Sequence, residues 1–172
     1  MRVVTHLLER NGAVPNNPHC ALLFYASALA AEGDLAAAFE RCFDAHAWPS
    51  AWRNGVFGFH HYHSNAHEVL GIYSGTVTVR FGGDDGPTLT AVPGDVVVIP
   101  AGVAHKKLTS EGRLGIVGAY PAGQVADLCE PSQATVELHA ATIAKVSHPS
   151  MDPVAGPGGP LDRLWPHGSP GP

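Results

Sequence analysis

The segment GVFGFHHYHSNAHEVLGIYSG, residues 55–75, decides the fold of this chain and the chemistry expected of it. His61 and His63 stand two positions apart, and Glu68 follows five positions later. Successive side chains of a strand point to opposite faces, so a strand here would place both imidazoles on one face. A turn after His63 would let a second strand return Glu68 to that face. The segment therefore predicts a cation site.

A second segment, GDVVVIPAGVAH at residues 94–105, supplies a third imidazole. Its apolar run is a candidate strand, Pro100 and Gly102 form a tight corner, and His105 opens the next strand. In a closed barrel that strand can lie beside the one that carries His61. We expect three imidazoles and one carboxylate to hold one divalent metal ion.

Residues 52–121 predict an all-β barrel core, because short β-branched and aromatic runs alternate with glycine turns. The candidate strands are Val56–His63, His67–Ser74, Thr76–Phe81, Thr88–Val92, Asp95–Ile99, His105–Leu108 and Leu114–Tyr120. The absence of a helical crossover between them argues against a parallel α/β sheet. One helix is predicted over Asp34–His46, where Asp34 can cap the first turn and apolar residues recur at helical spacing.

The two ends of the chain differ in character. Residues 1–30 predict strands around a turn, with a short buried strand over Leu22–Tyr25. From about residue 148 to residue 172 the chain is rich in Pro and Gly, which predicts an irregular tail without a regular helix or central strand. Three apolar side chains in this tail are expected to lie on the barrel or on a neighbouring subunit, namely Leu161, Leu164 and Trp165.

Composition excludes several classes of partner. The formal net charge is −5 and no basic cluster occurs, so nucleic acid is not an expected partner. Three cysteines without a C-x-x-C pair fit a reducing compartment and disfavour a cysteine zinc site. No signal peptide is apparent, and the longest apolar stretch, Ala21–Ala31, is too short to cross a bilayer. We therefore predict one cytoplasmic domain over residues 1–172 with no membrane partner.

These segments resemble the two sequence motifs of the cupin superfamily. The motifs G-x5-H-x-H-x4-E-x6-G and G-x5-P-x-G-x2-H-x3-N are matched at nine positions, namely Gly55, His61, His63, Glu68, Gly75, Gly94, Pro100, Gly102 and His105. Thr109 replaces the final Asn, which is not a metal ligand in the family. The resemblance implies a single jelly-roll β-barrel and a metal bound by His61, His63, Glu68 and His105. Some cupins lose the metal, but with all four positions filled we expect an intact site.

Shorter stretches resemble, more narrowly, the YjlB-like group of cupins. They are Asn16-Asn17-Pro18, Trp52-Arg53-Asn54-Gly55, His60-His61-Tyr62-His63-Ser64-Asn65, Gly118-Ala119-Tyr120-Pro121, Gly159-Pro160-Leu161 and Leu164-Trp165. This resemblance covers nearly the whole chain. It implies a small barrel and a bound metal, but it brings no established reaction with it.

Three other residues in this segment are expected to support the metal site without binding the metal. Phe57 and Phe59 share the parity of the two ligand histidines and are expected to form an apolar wall beside the metal. His67 is a candidate for orienting a ligand through a hydrogen bond. His67 and Glu68 begin an H-E-x-x-H pattern, but Gly71 stands at the place of the second His, which excludes a zinc protease.

The predicted ligand set indicates a function. Imidazole and carboxylate ligands suit Fe, Mn, Ni, Cu, Co or Zn as divalent ions. Four protein ligands leave positions for a small molecule or O₂. We predict a metal-dependent enzyme that acts on a small molecule, with dioxygenase chemistry favoured for iron and isomerase or lyase chemistry for manganese, zinc or nickel. Lys106 or Lys107 is a candidate for drawing an anionic substrate to the site.

Two other classes of function stay open. The barrel can bind or sense a small ligand without catalysis, although no DNA-binding domain accompanies it. It can also have a structural role in which its edge builds an oligomer. Exposed barrel faces and the Pro-rich tail predict a homodimer under each hypothesis, so a dimer would not discriminate among them.

Overall fold

A computed structural model describes residues 1–165, which form seven strands and three helices. The strands are β1 (Arg2–Leu8), β2 (Asn17–Ala26), β3 (Ser50–Asn54), β4 (Glu68–Phe81), β5 (Thr88–Ala91), β6 (Val96–Ile99) and β7 (His105–Ala119). The helices are α1 (Leu35–Ala45), α2 (Val136–Ile143) and α3 (Pro160–Leu164). Across residues 1–165, no helix has the length and apolar character needed to cross a membrane.

The strands form one antiparallel sheet in the order β1-β2-β6-β4-β7-β3, with β5 paired to β4. The two longest strands, β4 and β7, pair along most of their length and shift register at several points. Such shifts bend a strand and increase its twist, so the sheet curls into a half-barrel. The predicted all-β cupin architecture is therefore confirmed.

Both faces of the central strands are buried, and alternation along each strand separates two apolar clusters. The inner cluster includes Leu22, Leu70, Val97 and Ile116. The outer cluster includes an adjacent residue from each of the same strands, Leu23, Val69, Val98 and Val117. The outer cluster is covered by α1 and the C-terminal segment. The inner face is the one to which Glu68 belongs by parity, so it positions the functional site.

The predicted helix over Asp34–His46 is confirmed as α1. The Asp34 carboxylate accepts a hydrogen bond from the backbone N–H of Ala37 at 3.0 Å and so caps the first turn. Phe39 is fully buried, and its ring lies directly over Gly71 in β4, where an added Cβ would come within 2.7 Å of the ring. The glycine thus lets the helix approach the sheet closely.

One predicted strand, Val56–His63, is wrong. Between β3 and β4 the chain is irregular and forms only isolated bridges, from His61 to His105 and from Tyr62 to Cys129. Strand parity therefore does not determine where the two ligand histidines point. Their placement comes from contacts with distant parts of the chain.

The predicted break at Gly75 is also wrong. The two strands predicted over 67–74 and 76–81 form one strand, β4, which begins at Glu68. The two strands predicted over 105–108 and 114–120 likewise form one strand, β7, which ends at Ala119. Gly75 has a φ of +69° and stands at a register shift. It acts as a bulge inside a continuous strand and not as a turn between two strands.

Helix α2 lies where the sequence interpretation predicts no element. Its buried residues, Val136 and Ile143, are seven positions apart, which is close to two helical turns. Tyr62 donates or accepts a hydrogen bond with Nδ1 of His139 on this helix at 2.7 Å. The helix therefore contacts the segment that carries the motif histidines.

The C-terminal segment packs on the outer cluster. The prediction that the tail contains no helix is wrong, because α3 lies within it. Pro160 is compatible with this helix because it occupies the first turn, where a missing backbone N–H costs little. Leu161 and Trp165 are buried on the barrel, as expected, and the indole N–H of Trp165 donates to the carbonyl of Ala21 at 2.8 Å. Leu164 is exposed. The rest of the predicted tail, residues 166–172, lies outside the described residues.

Candidate metal centre

The side chains of His63, Glu68 and His105 converge into one cluster. Nε2 of His63 lies 3.3 Å from Oε2 of Glu68, and Nε2 of His105 lies 3.4 Å from the same oxygen. The three ligand atoms all lie within 4.8 Å of one another. Glu68 opens β4, whereas His105 pairs with Phe81 at the far end of that strand. Only the curl of the sheet and the corner after Ile99 bring them together.

Backbone carbonyls fix the orientation of the motif histidines. Nδ1 of His61 donates to the carbonyl oxygen of Phe59 at 3.2 Å, and Nδ1 of His105 donates to that of Val103 at 3.1 Å. Nδ1 of His63 donates to the carbonyl oxygen of Asp127. A carbonyl oxygen only accepts, so Nδ1 carries the hydrogen and, in the neutral ring, Nε2 keeps a lone pair. This is the tautomer in which histidine binds a metal through Nε2.

The atoms at the centre of the cluster are therefore all acceptors. Within residues 1–165, Oε2 of Glu68 is buried and receives no hydrogen bond. Buried acceptors in contact repel one another unless a cation lies between them. A proton on one imidazole would satisfy only one of the contacts, whereas a single divalent ion would satisfy all three.

The pKa shifts of the cluster reflect the attraction between its carboxylate and its imidazoles. Burial raises the pKa of Glu68, but the adjacent His105 and His63 lower it by more, so the carboxylate stays ionised. Burial lowers the pKa of His63, but Glu68 raises it by more, and the net shift is upward. Both shifts have the same cause, which is the attraction between the Glu68 carboxylate and a positive charge on its neighbours.

His61 lies beside the cluster. Its ring centroid is 4.1 Å from that of His105 and 6.0 Å from that of His63. The ring is buried, and burial followed by the neighbouring His105 lowers the pKa of His61 to about 3, so its Nε2 stays unprotonated at neutral pH. It does not belong to the group of three whose ligand atoms lie within 4.8 Å. Ligation by His61 therefore stays a prediction.

The comparison with known proteins agrees with these motifs. No protein-family model matches the chain. A protein of Bacillus subtilis (strain 168) described as uncharacterized protein YjlB is 38% identical over 161 residues, which are 94% of this chain and 95% of the relative. The chain belongs to the YjlB family. A DUF861 family protein from Thermotoga maritima with a crystal structure is 27% identical; the match covers 41% of this chain and 75% of that one, with a TM-score of 0.30.

In this YjlB-family chain the phenylalanines of the first motif lie on the rim of the site. Phe57 and Phe59 stack with their ring centroids 5.0 Å apart, and the edge of the Phe57 ring meets His61 at 5.0 Å. Both rings are largely exposed, at 51% and 41%. They form an exposed apolar rim beside His61 in place of a buried wall.

His67 is buried away from the cluster. Its Nδ1 accepts a hydrogen bond from the backbone N–H of Ala101 at 3.0 Å, and its ring centroid lies 4.7 Å from that of Trp165. Burial is the main reason that the pKa of His67 falls to about 3. These contacts make His67 a support for the corner after β6. Its role in orienting a metal ligand stays a prediction.

A segment that the motifs do not include holds His63 in place. We call residues 121–131 the strap. The Asp127 carboxylate accepts the backbone N–H of Ser64 at 2.7 Å, and the Asp127 N–H donates to Oδ1 of Asn65 at 2.9 Å. Cys129 and Tyr62 exchange two backbone hydrogen bonds of 2.9 Å each. The carbonyl that orients the His63 ring is thus fixed by contacts on both sides.

We expect Asp127→Ala to weaken metal binding by about 10–100-fold, the usual effect of losing an outer partner of a metal ligand. Without its carboxylate the strap loses its bonds to Ser64, so the carbonyl that orients His63 is free to move. Isothermal titration with Zn(II) would measure the change. Asp84→Ala is the matched control, because Asp84 is exposed and pairs with Lys106. Unchanged affinity in Asp127→Ala would contradict this role.

Tyr120 is a second residue that the motifs do not identify. Its hydroxyl oxygen accepts the indole N–H of Trp52 at 3.0 Å, and its ring meets the His63 ring edge-on at 5.6 Å. Burial, together with the Glu68 carboxylate, raises the pKa of Tyr120. The phenol therefore stays protonated, and its hydroxyl, which accepts a hydrogen bond from Trp52, interacts with the Glu68 carboxylate.

The cluster forms the wall of a cavity of about 440 Å³. Its lining is Trp52, Asn54, Gly55, Val56, Phe57, His61, His63, Glu68, Leu70, His105, Lys107, Tyr120, Ala126, Asp127 and Leu128. A larger groove of about 1210 Å³ runs between residues 9–20 and 140–148 and includes His67, but the two share no lining residue. The smaller cavity is the candidate site because it alone contains the converging acceptors.

Proposed function

We propose that this chain is a metal-dependent enzyme that acts on a small molecule bound in the cavity of about 440 Å³. One divalent ion would be held by His63, Glu68 and His105, with His61 as a fourth ligand. The observation that carries the proposal is the meeting of three buried acceptor atoms, two of which belong to imidazoles oriented by backbone carbonyls. Within residues 1–165, Oε2 of Glu68 has no hydrogen-bond partner, and a metal ion between the three ligand atoms would satisfy all of them.

The chain's own groups would do the remaining work. When bound, the ion supplies Lewis acidity toward an oxygen atom of the small molecule and, as iron or copper, access to O₂ chemistry. Glu68 would hold its charge at the ion, and Tyr120 would donate a hydrogen bond or a proton from its hydroxyl. Val56 and Leu70 would exclude water from one side of the cavity. Dioxygenase chemistry is the first reaction to test.

Elemental analysis of untagged, chelator-free protein tests the proposal. We expect about one equivalent of a divalent transition metal in the wild type, and none in Glu68→Ala or His105→Ala. His61→Ala should retain the metal with lower affinity, because its Nε2 is not in the central group. His60→Ala is the matched control, since Nε2 of His60 pairs with Asp84 at 3.2 Å.

The metal then decides the next assay. Iron or copper leads to oxygen-uptake assays, and zinc, nickel or manganese leads to isomerase and lyase substrates. A metal with tight ligand binding and no turnover would support the alternative of a non-catalytic binding or sensing module. A wild type that stays free of metal after anaerobic reconstitution would overturn the proposal.

A further inference from the structure

The cavity beside the cluster carries a positive charge that no residue in the range 1–165 balances. Lys107 lies two positions after His105 in β7 and lines the cavity. Its backbone N–H donates to the carbonyl of Phe57 at 2.8 Å, which fixes this part of β7 against the rim. The neighbouring Lys106 pairs with Asp84 at 2.9 Å. No carboxylate of the described chain forms such a pair with Lys107.

The acids that line the same cavity are engaged elsewhere. Glu68 lies between two imidazoles, within 3.4 Å of both. The Asp127 carboxylate accepts hydrogen bonds from the backbone and the hydroxyl of Ser64. Lys107, which is half-buried, is the one lysine of this lining, and no ion pair with it occurs within residues 1–165.

The rest of the lining indicates what kind of counter-ion fits. Val56 and Leu70 give the cavity a buried apolar wall, and Phe57 and Leu128 line it as exposed apolar side chains. Such walls exclude water and strengthen the attraction between a cation and an anion. A volume of about 440 Å³ is near the lower end of the range of about 300–1,000 Å³ for small-molecule sites. The site therefore suits a small organic anion with an apolar body.

We propose that the cavity selects small organic carboxylates, whose carboxylate pairs with the ammonium of Lys107 while the body of the molecule lies toward His63, Glu68 and His105. Binding of the carboxylate at Lys107 does not depend on a metal. The role of such a molecule as the substrate rests on the proposed function. Asn54 and Tyr120 lie in the same lining and offer hydrogen bonds that a neutral or charged ligand can use equally.

Ligand-observed NMR titrations with benzoate and benzamide test the proposal, because the two probes share a shape and differ in charge. Each would be titrated into the full-length protein as purified and again after chelator treatment. We expect benzoate to bind the wild type at least about tenfold more tightly than benzamide in both forms, with the preference falling as salt rises. Lys107→Met should abolish the preference, and Lys107→Arg should keep most of it.

Lys106→Met is the matched control, and its preference for benzoate should equal that of the wild type. Equal binding of the two probes to the wild type, or an unchanged preference in Lys107→Met, would overturn the assignment. A preference that disappears only on chelator treatment would also overturn it, because the metal would then be the anion site. The chelated protein thus separates failure at Lys107 from failure of the metal proposal.

Discussion

Asp152→Ala should lower the free energy of unfolding by about 3–5 kcal/mol, the cost of breaking a fully buried polar network. The Asp152 carboxylate is 0% exposed and accepts the phenol hydrogen of Tyr25 at 2.6 Å. It also accepts backbone N–H groups from Val154 at 2.8 Å, Ala155 at 2.9 Å and Leu161 at 2.9 Å. One side chain therefore ties the C-terminal segment and α3 to β2.

The size of the effect follows from what the substitution leaves behind. Alanine would leave the phenol and three N–H groups without their acceptor, and each buried unsatisfied donor costs about 1–3 kcal/mol. Partial entry of water would bring the total to the stated range. Loosening of this segment would also expose Trp165, which is 1% exposed and packs in the outer cluster.

Urea unfolding followed by tryptophan fluorescence would measure the loss. Asp162→Ala is the matched control, since Asp162 is only partly buried and accepts the N–H of Gly158 at 2.6 Å. We expect it to cost less than about 1 kcal/mol. Tyr25→Phe removes only one of the four donors and should fall between the two. A loss in Asp152→Ala no larger than in Asp162→Ala would show that the carboxylate does not anchor the segment.

The sequence could identify the cluster because its residues are close together along the chain in two short motifs. His63, Glu68 and His105 do converge, and Asp34 does cap the one predicted helix. The strand pattern was also sufficient to give an all-β fold, since alternation of apolar residues depends only on neighbouring positions.

Local patterns failed where distant contacts decide the conformation. The run from Val56 to His63 alternates like a strand, yet its backbone pairs with the rest of the chain only at isolated bridges. Gly75 looks like a turn, yet β7 continues to pair across it and turns it into a bulge. In each case the outcome depends on which partner strand is available, and alternation within one segment does not encode that.

The motifs could not predict the residues that support the site, for the same reason. Asp127 orients His63 from 64 positions away, and Trp52 binds the hydroxyl of Tyr120 from 68 positions away. Neither spacing follows a periodic rule. Helix α2 is different, because the spacing of its buried residues, Val136 and Ile143, is a local signal that the sequence does contain.

Gly102→Ala should destabilise the fold by more than about 3 kcal/mol and weaken metal binding at the same time. Gly102 has a φ of +88°, where an L side chain costs roughly 1–2 kcal/mol. An added Cβ would also lie 2.5 Å from the carbonyl oxygen of Asn16 and 2.5 Å from Cδ1 of Ile143. The side chain of Asn16 is itself held, because its amide donates to Gly82 O at 3.0 Å. The Asn16 backbone therefore cannot easily shift away from the added Cβ.

The effect on the metal follows from the hydrogen bond that Gly102 makes. Its N–H donates to the carbonyl of His63 at 2.8 Å, so a displaced corner would move a metal ligand.

Two other glycines separate the effect of backbone strain from that of steric contact. Gly123 has a φ of +85° with nothing within 4 Å of an added Cβ, and Gly58 has neither constraint. In urea unfolding, the loss in free energy of unfolding should be negligible for Gly58→Ala, about 1–2 kcal/mol for Gly123→Ala, and largest for Gly102→Ala. In Zn(II) titration, only Gly102→Ala should bind the metal more weakly. Equal losses at Gly102 and Gly123 would mean that backbone strain, and not contact with Asn16 and Ile143, makes glycine necessary at this corner.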